Sequence, residues 1–383
     1  MDQQKAVLRI SLTFFTILGI NPFKKLGKIQ VFCIISFLLI LFVLVFLRFS
    51  YEKVTFALIS DTFESTFTIV HVLSKFITLT VVKPTLKELL QITNKFWFPS
   101  VDSQLREEVE NVLKILRMLL RSFLVFVTVV IVTFAIRPIF DDTLAISCYT
   151  PRSIPRVIFI IFNNLVFAMS AFAVGSFDMF VCAMVVLISV QFKILNRTIL
   201  SLDLGKIGTR IDERKCLEKM RECVEQHNFL NTFLQNVTTV VSPALLVYFT
   251  IAPVVLCFEL FFISKRRGAQ ISNFAEIAKS CVYVSGIVIE LFFFFCLPAT
   301  YLMIQTEDMI NATYNSGWEK CYFLSIRKNI VIMMQRMQKE TILSAGKMIP
   351  INMETCTNAF RMALSFYTSL QILDDKTKQI WEQ

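Results

Sequence analysis

The sequence is poor in the residues from which enzyme active sites are usually built. It contains two His, His71 and His227, and nine Gly among its 383 residues. The patterns GxSxG and HExxH are absent, and so are the glycine patterns of the P-loop and of dinucleotide-binding folds. We therefore expect a protein that is not an enzyme and that uses neither a cofactor nor a metal.

Cysteine is more frequent, but it is not spaced as it is in metal sites. The ten Cys are scattered without a CxxC pair, mostly inside apolar blocks, where Cys behaves as a small hydrophobic residue. Cys223 and His227 stand four residues apart, and two candidate ligands alone make a weak metal signal. Cys148 lies in a polar stretch, where a disulfide is possible.

Charged residues are also scarce, whereas apolar residues are abundant. Asp, Glu, Lys and Arg make up 18% of the chain, compared with about 25% in a typical soluble domain. Hydrophobic residues make up 55%, Phe alone accounts for 39 residues, and the mean hydropathy is +0.63. The apolar residues fall in blocks long enough to cross a bilayer, which takes about 20 residues. The expected fold class is all-α, as a polytopic membrane protein.

Seven apolar blocks have the length of transmembrane helices, and their approximate bounds are 31–47, 56–82, 118–136, 157–192, 233–263, 278–304 and 352–373. A shorter apolar stretch at 7–20 contains Arg9 and no cleavage site follows it, so we interpret it as a helix lying on the membrane surface. The net charge of +10 comes mostly from loops, where Lys and Arg contact lipid headgroups. We thus predict membrane lipids, and no nucleic acid, as partners. The distribution of Lys and Arg slightly favours a cytoplasmic N-terminus.

The seventh block carries a polar stripe within residues 351–370, INMETCTNAFRMALSFYTSL. The polar side chains follow each other at steps of three or four residues, which places them on one face of a helix. They are Glu354, Asn358, Arg361, Ser365 and Ser369. Such a stripe is either a hydrogen-bonded seam buried against neighbouring helices or the wall of a water-filled path in an oligomer. The residues alone leave both interpretations open.

The second block has a similar stripe, formed by Asp61, Glu64, Thr68, His71, Lys75 and Thr78. A charge at the centre of a membrane helix costs about 2.5–3.5 kcal/mol on insertion scales, so these residues need partners or water. One interpretation is internal pairing of Asp61 or Glu64 with basic residues elsewhere in the bundle. The other is a solvated vestibule with His71 at its base.

Two other classes of polytopic membrane protein remain as alternatives. Seven spans are typical of G-protein-coupled receptors, but the third block does not end in an acidic-Arg-aromatic triplet and the seventh lacks Asn-Pro-x-x-Tyr. A secondary transporter would show an inverted repeat or a pair of Gly- or Pro-broken helices, and neither is present in the sequence. The residues favour neither class.

The last third of the chain resembles the insect odorant receptors. Its motifs stand in the order and at the spacing of that family's C-terminal signature, and they are TYNSGW (313–318), IMMQRMQK (332–339), LSAGK (343–347), NMET (352–355) and ALSFYTSL (363–370). Residues 176–179 and 191–195 in the fourth block, and 225–227 before the fifth, are similar as well. The signature combines a cytoplasmic helix, a Gly-Lys turn and a final span.

The resemblance implies a subunit of an odorant-gated, non-selective cation channel, with a cytoplasmic N-terminus and an extracellular C-terminus. Four subunits would surround one pore in the plasma membrane of a sensory neuron dendrite. The implied regions are a cytoplasmic N-terminal segment with an interfacial helix (1–30), a six-helix transmembrane region with an outer-half ligand pocket (31–304), a cytoplasmic anchor helix (305–350), the pore-lining seventh span (351–373) and an extracellular tail (374–383). Permeating cations would meet Asn358, Arg361, Ser365, Ser369 and Leu373.

The partner that the resemblance implies is the family's co-receptor subunit, in a heterotetramer. The co-receptor has a long insertion between the fourth and fifth spans, whereas the corresponding loop here, about 193–227, is short. The chain therefore resembles an odorant-tuning subunit. Ser369 near the expected constriction and a basic ring at Arg361 both suit a heteromer. Gustatory receptors, the sister group, are the second interpretation. Their usual C-terminal pattern differs from residues 366–372 of this chain.

The resemblance also implies a ligand pocket in the outer halves of the second, third, fourth and sixth spans. Aromatic walls with a few polar groups suit a small volatile odorant. At those depths the sequence has eight candidates, Phe63, Phe67, His71, Thr133, Phe134, Asn164, Phe167 and Tyr283. For any single aromatic residue among them, ordinary core packing is the alternative.

Overall fold

The computed structural model describes residues 2–25, 27–53, 56–97, 103–140, 144–151, 153–266, 274–339 and 341–381. Residues 1 and 26 of the predicted N-terminal segment and 382–383 of the predicted tail lie outside that description. The described chain is predominantly helical, as predicted. Its helices are α1 (Asp2–Ile17), α2 (Lys28–Tyr51), α3 (Phe56–Val81), α4 (Lys83–Ile92), α5 (Ser103–Phe140), α6 (Arg156–Leu200), α7 (Arg210–Arg266), α8 (Phe274–Ile289), α9 (Leu297–Tyr314), α10 (Leu324–Met337) and α11 (Met353–Trp381). A π-helical segment, Glu290–Cys296, joins α8 to α9.

Five helical rods within the described residues are long and apolar enough to cross a membrane. They contain α2, α5, α6, α7 and the continuous run from α8 to α9. The pair α3 and α4 meets the same test together, with a bend of 68° between them. Pro84 is the second residue of α4, and its ring cannot be accommodated in a continuation of the preceding helix. The structure thus supports five or six of the seven predicted spans. The remaining one, α11, falls short because its polar stripe lowers its hydropathy.

The centre of the bundle is α6. Its residues 175–192 are buried on every side, and helices α1, α3, α5, α7 and α9 pack around it. A helix that is apolar all round is buried rather than amphipathic, and the sequence of this stretch has that character. The long fourth block predicted from the sequence is therefore one unbroken helix at the core.

The short apolar stretch near the N-terminus forms α1, as a helix was predicted there. Its Phe14 ring stacks on Phe172 of α6 with centroids 5.3 Å apart, and Phe15 lies 5.8 Å from the Phe180 ring. Val7 and Phe15 are fully buried. One face of α1 is thus part of the bundle, and its location at the membrane surface stays a prediction.

The segment before α11 is helical only in part. Within the implied anchor region 305–350, α10 ends at Met337 and a two-stranded hairpin, β1 (Ser344–Ala345) with β2 (Ile349–Pro350), follows. Gly346 and Lys347 form the predicted turn, with φ of 61° and 58°, a conformation that suits Gly and tight hairpins. The Gly346 N–H donates to the Ser242 hydroxyl at 2.6 Å, which fixes the hairpin to α7.

The cysteines are all free thiols, including Cys148, for which a disulfide was considered. Cys148 is buried in the connection between α5 and α6, where the Asn163 amide approaches its sulfur at 3.6 Å. The same amide holds the Ile146 backbone through both its oxygen and its nitrogen, each at 3.0 Å. Burial raises the pKa of the Cys148 thiol to about 12, so it stays protonated and unreactive at neutral pH.

Candidate functional site

The polar stripe of α3 is paired with α8 in its first half. The Lys279 ammonium lies 2.7 Å from Glu64 Oε2, and both side chains are largely buried. One turn further along α3, the hydroxyls of Thr68 and Tyr283 are 2.6 Å apart. Pairing of Glu64 with a basic residue elsewhere in the bundle was one of the two interpretations of this stripe, and it is confirmed.

Deeper in the bundle the stripe reaches a buried ionic cluster. Lys75 Nζ lies 2.5 Å from Asp178 Oδ1 on α6 and also contacts the carboxylate of Glu290, the first residue of the π-helical segment. His71 Nε2 is 3.2 Å from the same Glu290 oxygen. Lys75 and Asp178 are completely inaccessible to solvent. One ammonium is thus shared by two carboxylates, and His71 approaches the second of them.

Aromatic rings enclose the ammonium of this cluster. Lys75 Nζ lies 5.5 Å from the ring centre of Phe177, 5.0 Å from that of Tyr248 and 5.3 Å from that of Phe295. Ring faces attract cations at such distances, most strongly where water is excluded. The rings and the two carboxylates together offset the desolvation of the buried charge.

A cavity of about 190 Å³ opens beside this cluster, between α3, α5, α6, α7 and α8. Much of its wall consists of aromatic rings, namely Phe67, Phe123, Phe126, Phe134, Phe167, Tyr248 and Tyr283. Polar side chains contribute Glu64, Ser65, Thr68, His71, Ser170 and Glu290. An apolar wall with a few polar groups is typical of sites for small molecules.

The structure brings five of the eight predicted ligand residues to this one cavity. They are Phe67, His71, Phe134, Phe167 and Tyr283. Phe134 and Phe167 stack on each other across α5 and α6, with centroids 4.9 Å apart. His71 stands at the inner end, where the aromatic wall meets the ionic cluster. That any of them contacts a ligand stays a prediction.

The other three candidates lie outside the cavity wall. Phe63 is 41% exposed and stacks on Phe67 from behind, at 5.8 Å between centroids. Thr133 is exposed and donates to the Val129 carbonyl at 2.9 Å, because its place on α5 turns it away from the bundle. The Asn164 amide donates to a backbone carbonyl of α5 at 3.1 Å.

Several residues of the site were not among the sequence candidates. Among them are Asp178 and Glu290, each the single acid of its apolar block, and Tyr248. The available signal was Lys75, a base in the same polar stripe, since a buried base requires acids from neighbouring helices. Which helices supply those acids depends on the packing of the bundle, and the sequence pattern does not encode it.

The predicted pore residues share one face of α11. Asn358, Arg361, Ser365, Ser369 and Leu373 are all exposed in the single chain. Among the described residues, none supplies a hydrogen bond or an ion pair to the side chains of Asn358 and Arg361. The Ser369 hydroxyl bonds to the carbonyl of Ser365 within its own helix, at 2.9 Å.

The opposite face of α11 is packed against the bundle. Cys356, Ala359 and Ala363 are buried there, and the helix lies on α7 and on the π-helical segment. Small side chains allow helices in a membrane to approach closely. The polar stripe thus points away from the rest of the chain.

A short structural path joins the cavity to α11. Glu290 lines the cavity and begins the π-helical segment of seven residues, which ends at Cys296. The π-helical segment packs against α11, and the Cys296 thiol lies next to Cys356 of that helix. In addition, the Met353 N–H donates to the Thr300 hydroxyl of α9 at 3.0 Å. π-helical turns occur frequently at functional sites.

A sequence profile described as 7tm odorant receptor matches residues 55–364, which is most of the chain. The chain belongs to the odorant receptor family. Members of this family are multi-pass membrane receptors and not enzymes. The family resemblance seen in the C-terminal motifs is thereby confirmed, and it extends well beyond the last third.

Individual odorant receptors are distant in sequence from this family member. Odorant receptor 22b of Drosophila melanogaster is 24% identical over 160 residues, which are 41% of this chain and 38% of that receptor. Odorant receptor Or2 of Anopheles gambiae is 23% identical over 154 residues, 40% of this chain and 39% of that receptor. The chain thus spans about two fifths of the length of these curated relatives.

The fold is shared with a solved odorant receptor structure over nearly the whole chain. The insect olfactory receptor OR5 from Machilis hrabei superposes with a TM-score of 0.81 at 13% identity, covering 96% of this chain and 97% of that one. The structure of OR5 in complex with eugenol gives a TM-score of 0.82 at 14% identity, covering 96% and 98%. At this identity the likeness establishes the fold.

Proposed function

We propose that the chain is an odorant-tuning subunit of a ligand-gated, non-selective cation channel. The observation that carries the proposal is the path from the aromatic cavity through the π-helical segment to α11. The aromatic cavity and the exposed polar stripe of α11 stand at the two ends of that path. Such an arrangement fits a receptor that is also its own channel.

In this proposal the cavity binds a small volatile odorant. The aromatic residues Phe67, Phe134, Phe167 and Tyr283 supply apolar contact area, and His71 and Glu290 supply polar contacts at the inner end. A ligand of about ten heavy atoms, at about 0.5–0.8 kcal/mol per atom, binds with a dissociation constant of about 0.1 mM to 1 µM. This range suits a detector that must also release its ligand.

Gating follows from differential binding to two states of the channel. A ligand opens the pore only if it binds the open state more tightly than the closed one. Glu290 lies in the cavity wall and Cys296 lies against α11. A change in the π-helical segment therefore alters the packing of α11, the proposed pore helix. In this proposal, a rearrangement of the π-helical segment links ligand binding to α11, in keeping with the frequent occurrence of π turns at functional sites.

The pore in this proposal is lined by the exposed stripe of α11, with Asn358, Arg361, Ser365, Ser369 and Leu373 facing permeating cations. Four copies of Arg361 around one axis would repel cations. We therefore place the chain in a heterotetramer with a co-receptor subunit, in which fewer copies of Arg361 face the axis.

The membrane arrangement completes the proposal. The chain has seven spans, with α11 as the seventh, and lies in the plasma membrane of a sensory neuron dendrite. Its N-terminal segment 1–30 and the region 305–350 are cytoplasmic, and the tail 374–383 is extracellular. Region 31–304 holds the ligand pocket in its outer half. A polar pore helix is stable as a span only where its stripe meets water or other subunits.

The proposal is tested by recording currents from cells that express the chain with and without a co-receptor, across an odorant panel. The intracellular solution lacks nucleotides for G-protein signalling. We expect a fast odorant-evoked cation current only with the co-receptor. A response that requires guanine nucleotides would instead identify a G-protein-coupled receptor, and tastant rather than odorant responses would favour the gustatory alternative.

A further inference from the structure

The hydroxyl groups at the outer part of the cavity already use their protons inside the protein. The Thr68 hydroxyl donates to the Glu64 backbone carbonyl at 2.8 Å. Because Thr68 has a single proton, the 2.6 Å contact with Tyr283 is donated by the tyrosine. The Tyr283 oxygen is left with lone pairs only, so it can accept a hydrogen bond from a ligand and cannot donate one.

The Tyr248 and Ser170 hydroxyls of the cavity wall also donate their protons to groups within the protein. The Tyr248 hydroxyl donates to the backbone carbonyl of Ile287 at 3.1 Å. The Ser170 hydroxyl donates to the carbonyl of Val166 at 2.7 Å. Both oxygens therefore present acceptor sites. Ser65 is the exception, since its hydroxyl has no described partner, although a helical serine can turn to the carbonyl one turn earlier.

The acidic side chains of the wall add further acceptors. Glu64 uses Oε2 for Lys279, and Glu290 uses Oε1 for Lys75 and His71. The second oxygen of Glu64 has no hydrogen bond or ion pair among the described residues, whereas the carboxylate of Glu290 also lies against that of Asp178. Lys and Arg side chains are absent from the described wall, because the two lysines reach the carboxylates from behind. The charges facing the cavity are thus negative.

His71 stands at the inner end of the cavity. Its Nε2 lies 3.2 Å from a Glu290 oxygen but has no hydrogen-bond partner among the described residues. A neutral imidazole contributes one donor nitrogen and one acceptor nitrogen. The wall as a whole offers more hydrogen-bond acceptors than donors. A ligand that has only acceptors would place its lone pairs against those of the wall and form no hydrogen bond with them.

We infer that the cavity selects small molecules that donate a hydrogen bond, namely alcohols, phenols or amines, over ethers, ketones and esters of the same shape. A cavity of about 150 Å³ holds benzene, so the volume of about 190 Å³ fits one ring with a short substituent or a chain of similar size. This inference rests on the proposed function, since it concerns the ligand of the same cavity.

The experiment compares matched pairs on the heteromer in whole cells. The pairs are isomers of equal size: benzyl alcohol with anisole, 2-phenylethanol with benzyl methyl ether, and 1-hexanol with methyl pentyl ether. Benzylamine is added as a cationic donor. We expect half-maximal concentrations for the donors to be about tenfold lower or better, because a polar group left without its hydrogen bond loses roughly that factor. Preference for the amine would identify the carboxylates as the contact. Preference for the alcohols would identify the Tyr283 hydroxyl oxygen and the His71 imidazole as the acceptors.

Two variants locate the effect in the cavity. Tyr283→Phe keeps the ring and removes the acceptor oxygen, and Glu64→Gln replaces one carboxylate oxygen by a donor. Either variant should lower the ratio of the ether's half-maximal concentration to the alcohol's by about threefold or more, in line with the loss of one modest hydrogen bond. The matched control is Tyr314→Phe, since Tyr314 is 63% exposed at the end of α9, and it should leave the ratio unchanged.

The possible failures are distinguishable. If ethers act as well as or better than alcohols in cells that give clear currents, the donor rule is overturned while the receptor function stands. The donor rule is also overturned if Tyr283→Phe and Glu64→Gln reach the cell surface normally and leave the ratio of ether to alcohol half-maximal concentrations unchanged. If no compound of either class evokes a current from a heteromer verified at the cell surface, the proposed function itself fails and the inference falls with it.

Discussion

Helices α3 and α11 carry nearly the same pattern in sequence and have opposite surroundings in the structure. In both, polar residues recur at steps of three or four. On α3 the members meet partners from other helices, as in the pairs of Glu64 with Lys279 and Lys75 with Asp178. On α11 the side chains of Asn358 and Arg361 are exposed and meet no described partner.

The difference shows that a polar stripe on a membrane helix has two uses that its spacing cannot separate. The stripe of α3 is satisfied within one chain, so it stabilises the bundle and supplies the polar end of the cavity. On α11, Asn358 and Arg361 have no hydrogen-bond or ion-pair partner among the described residues. In lipid such a face is costly, and in the proposed channel it would meet water at the centre of an assembly.

The sharpest test of this comparison exchanges one base in each stripe for Met. We expect Lys75→Met to destabilise the chain by about 3–5 kcal/mol, because it leaves two buried carboxylates without their counter-ion. Arg361→Met should change stability by about 0.5 kcal/mol or less, as for an exposed side chain. Thermal unfolding of the two purified variants in detergent measures both effects.

The cluster itself provides the control for this test. A triple variant, Lys75→Met with Asp178→Asn and Glu290→Gln, removes the buried charges together and should recover much of the lost stability. Equal stability of Lys75→Met and Arg361→Met would mean that the two stripes do not differ as described.

The cavity end of the comparison is tested by Phe67→Ala. The phenylalanine side chain lines the cavity, and its loss should shift the sensitivity to odorants about tenfold, equivalent to about 1.4 kcal/mol of binding free energy. Assembly should be preserved. Dose–response curves across several ligands measure the shift, with Phe46→Ala, a 45% exposed residue of α2, as the matched control. An unchanged response to every ligand would remove Phe67 from the site.

The pore end is tested by Arg361→Glu, for which we expect a smaller, several-fold change in ion selectivity. Reversing the charge replaces repulsion of cations at the stripe by attraction. Reversal potentials in mixed monovalent and divalent solutions measure relative permeability. If permeation is unaltered in a verified heteromer, Arg361 does not face the pore.

Much of the fold was accessible from the sequence, because the lengths of apolar blocks and the turn at Gly346 are local properties. The positions of α2, α5 and the long α6 follow from hydrophobicity alone. The five predicted ligand residues that line one cavity, such as Phe134 and Phe167, came from the depths that the family resemblance implies. Periodicity placed them on helices but did not bring them together.

What could not be predicted is the pairing between distant helices. Lys75 lies 103 positions from Asp178 and 215 from Glu290, and nothing in a single sequence links them. The exposure of Thr133 and the bond of Asn164 to α5 have the same origin, since both depend on how α5 rotates against α6. The described helices give at most six candidate spans, because the hydropathy of α11 is too low to identify it as a membrane span.

The central claim is that the stripe of α11 faces water in the assembled channel. It is tested most directly by Ser365→Cys and Ser369→Cys in the heteromer, with a charged, membrane-impermeant thiol reagent and the unsubstituted heteromer as background. The account predicts that the reagent alters the agonist-evoked current at both positions, and that Ala359→Cys, on the buried face, is unaffected. Shielding of Ser365→Cys and Ser369→Cys both with and without agonist would contradict the claim.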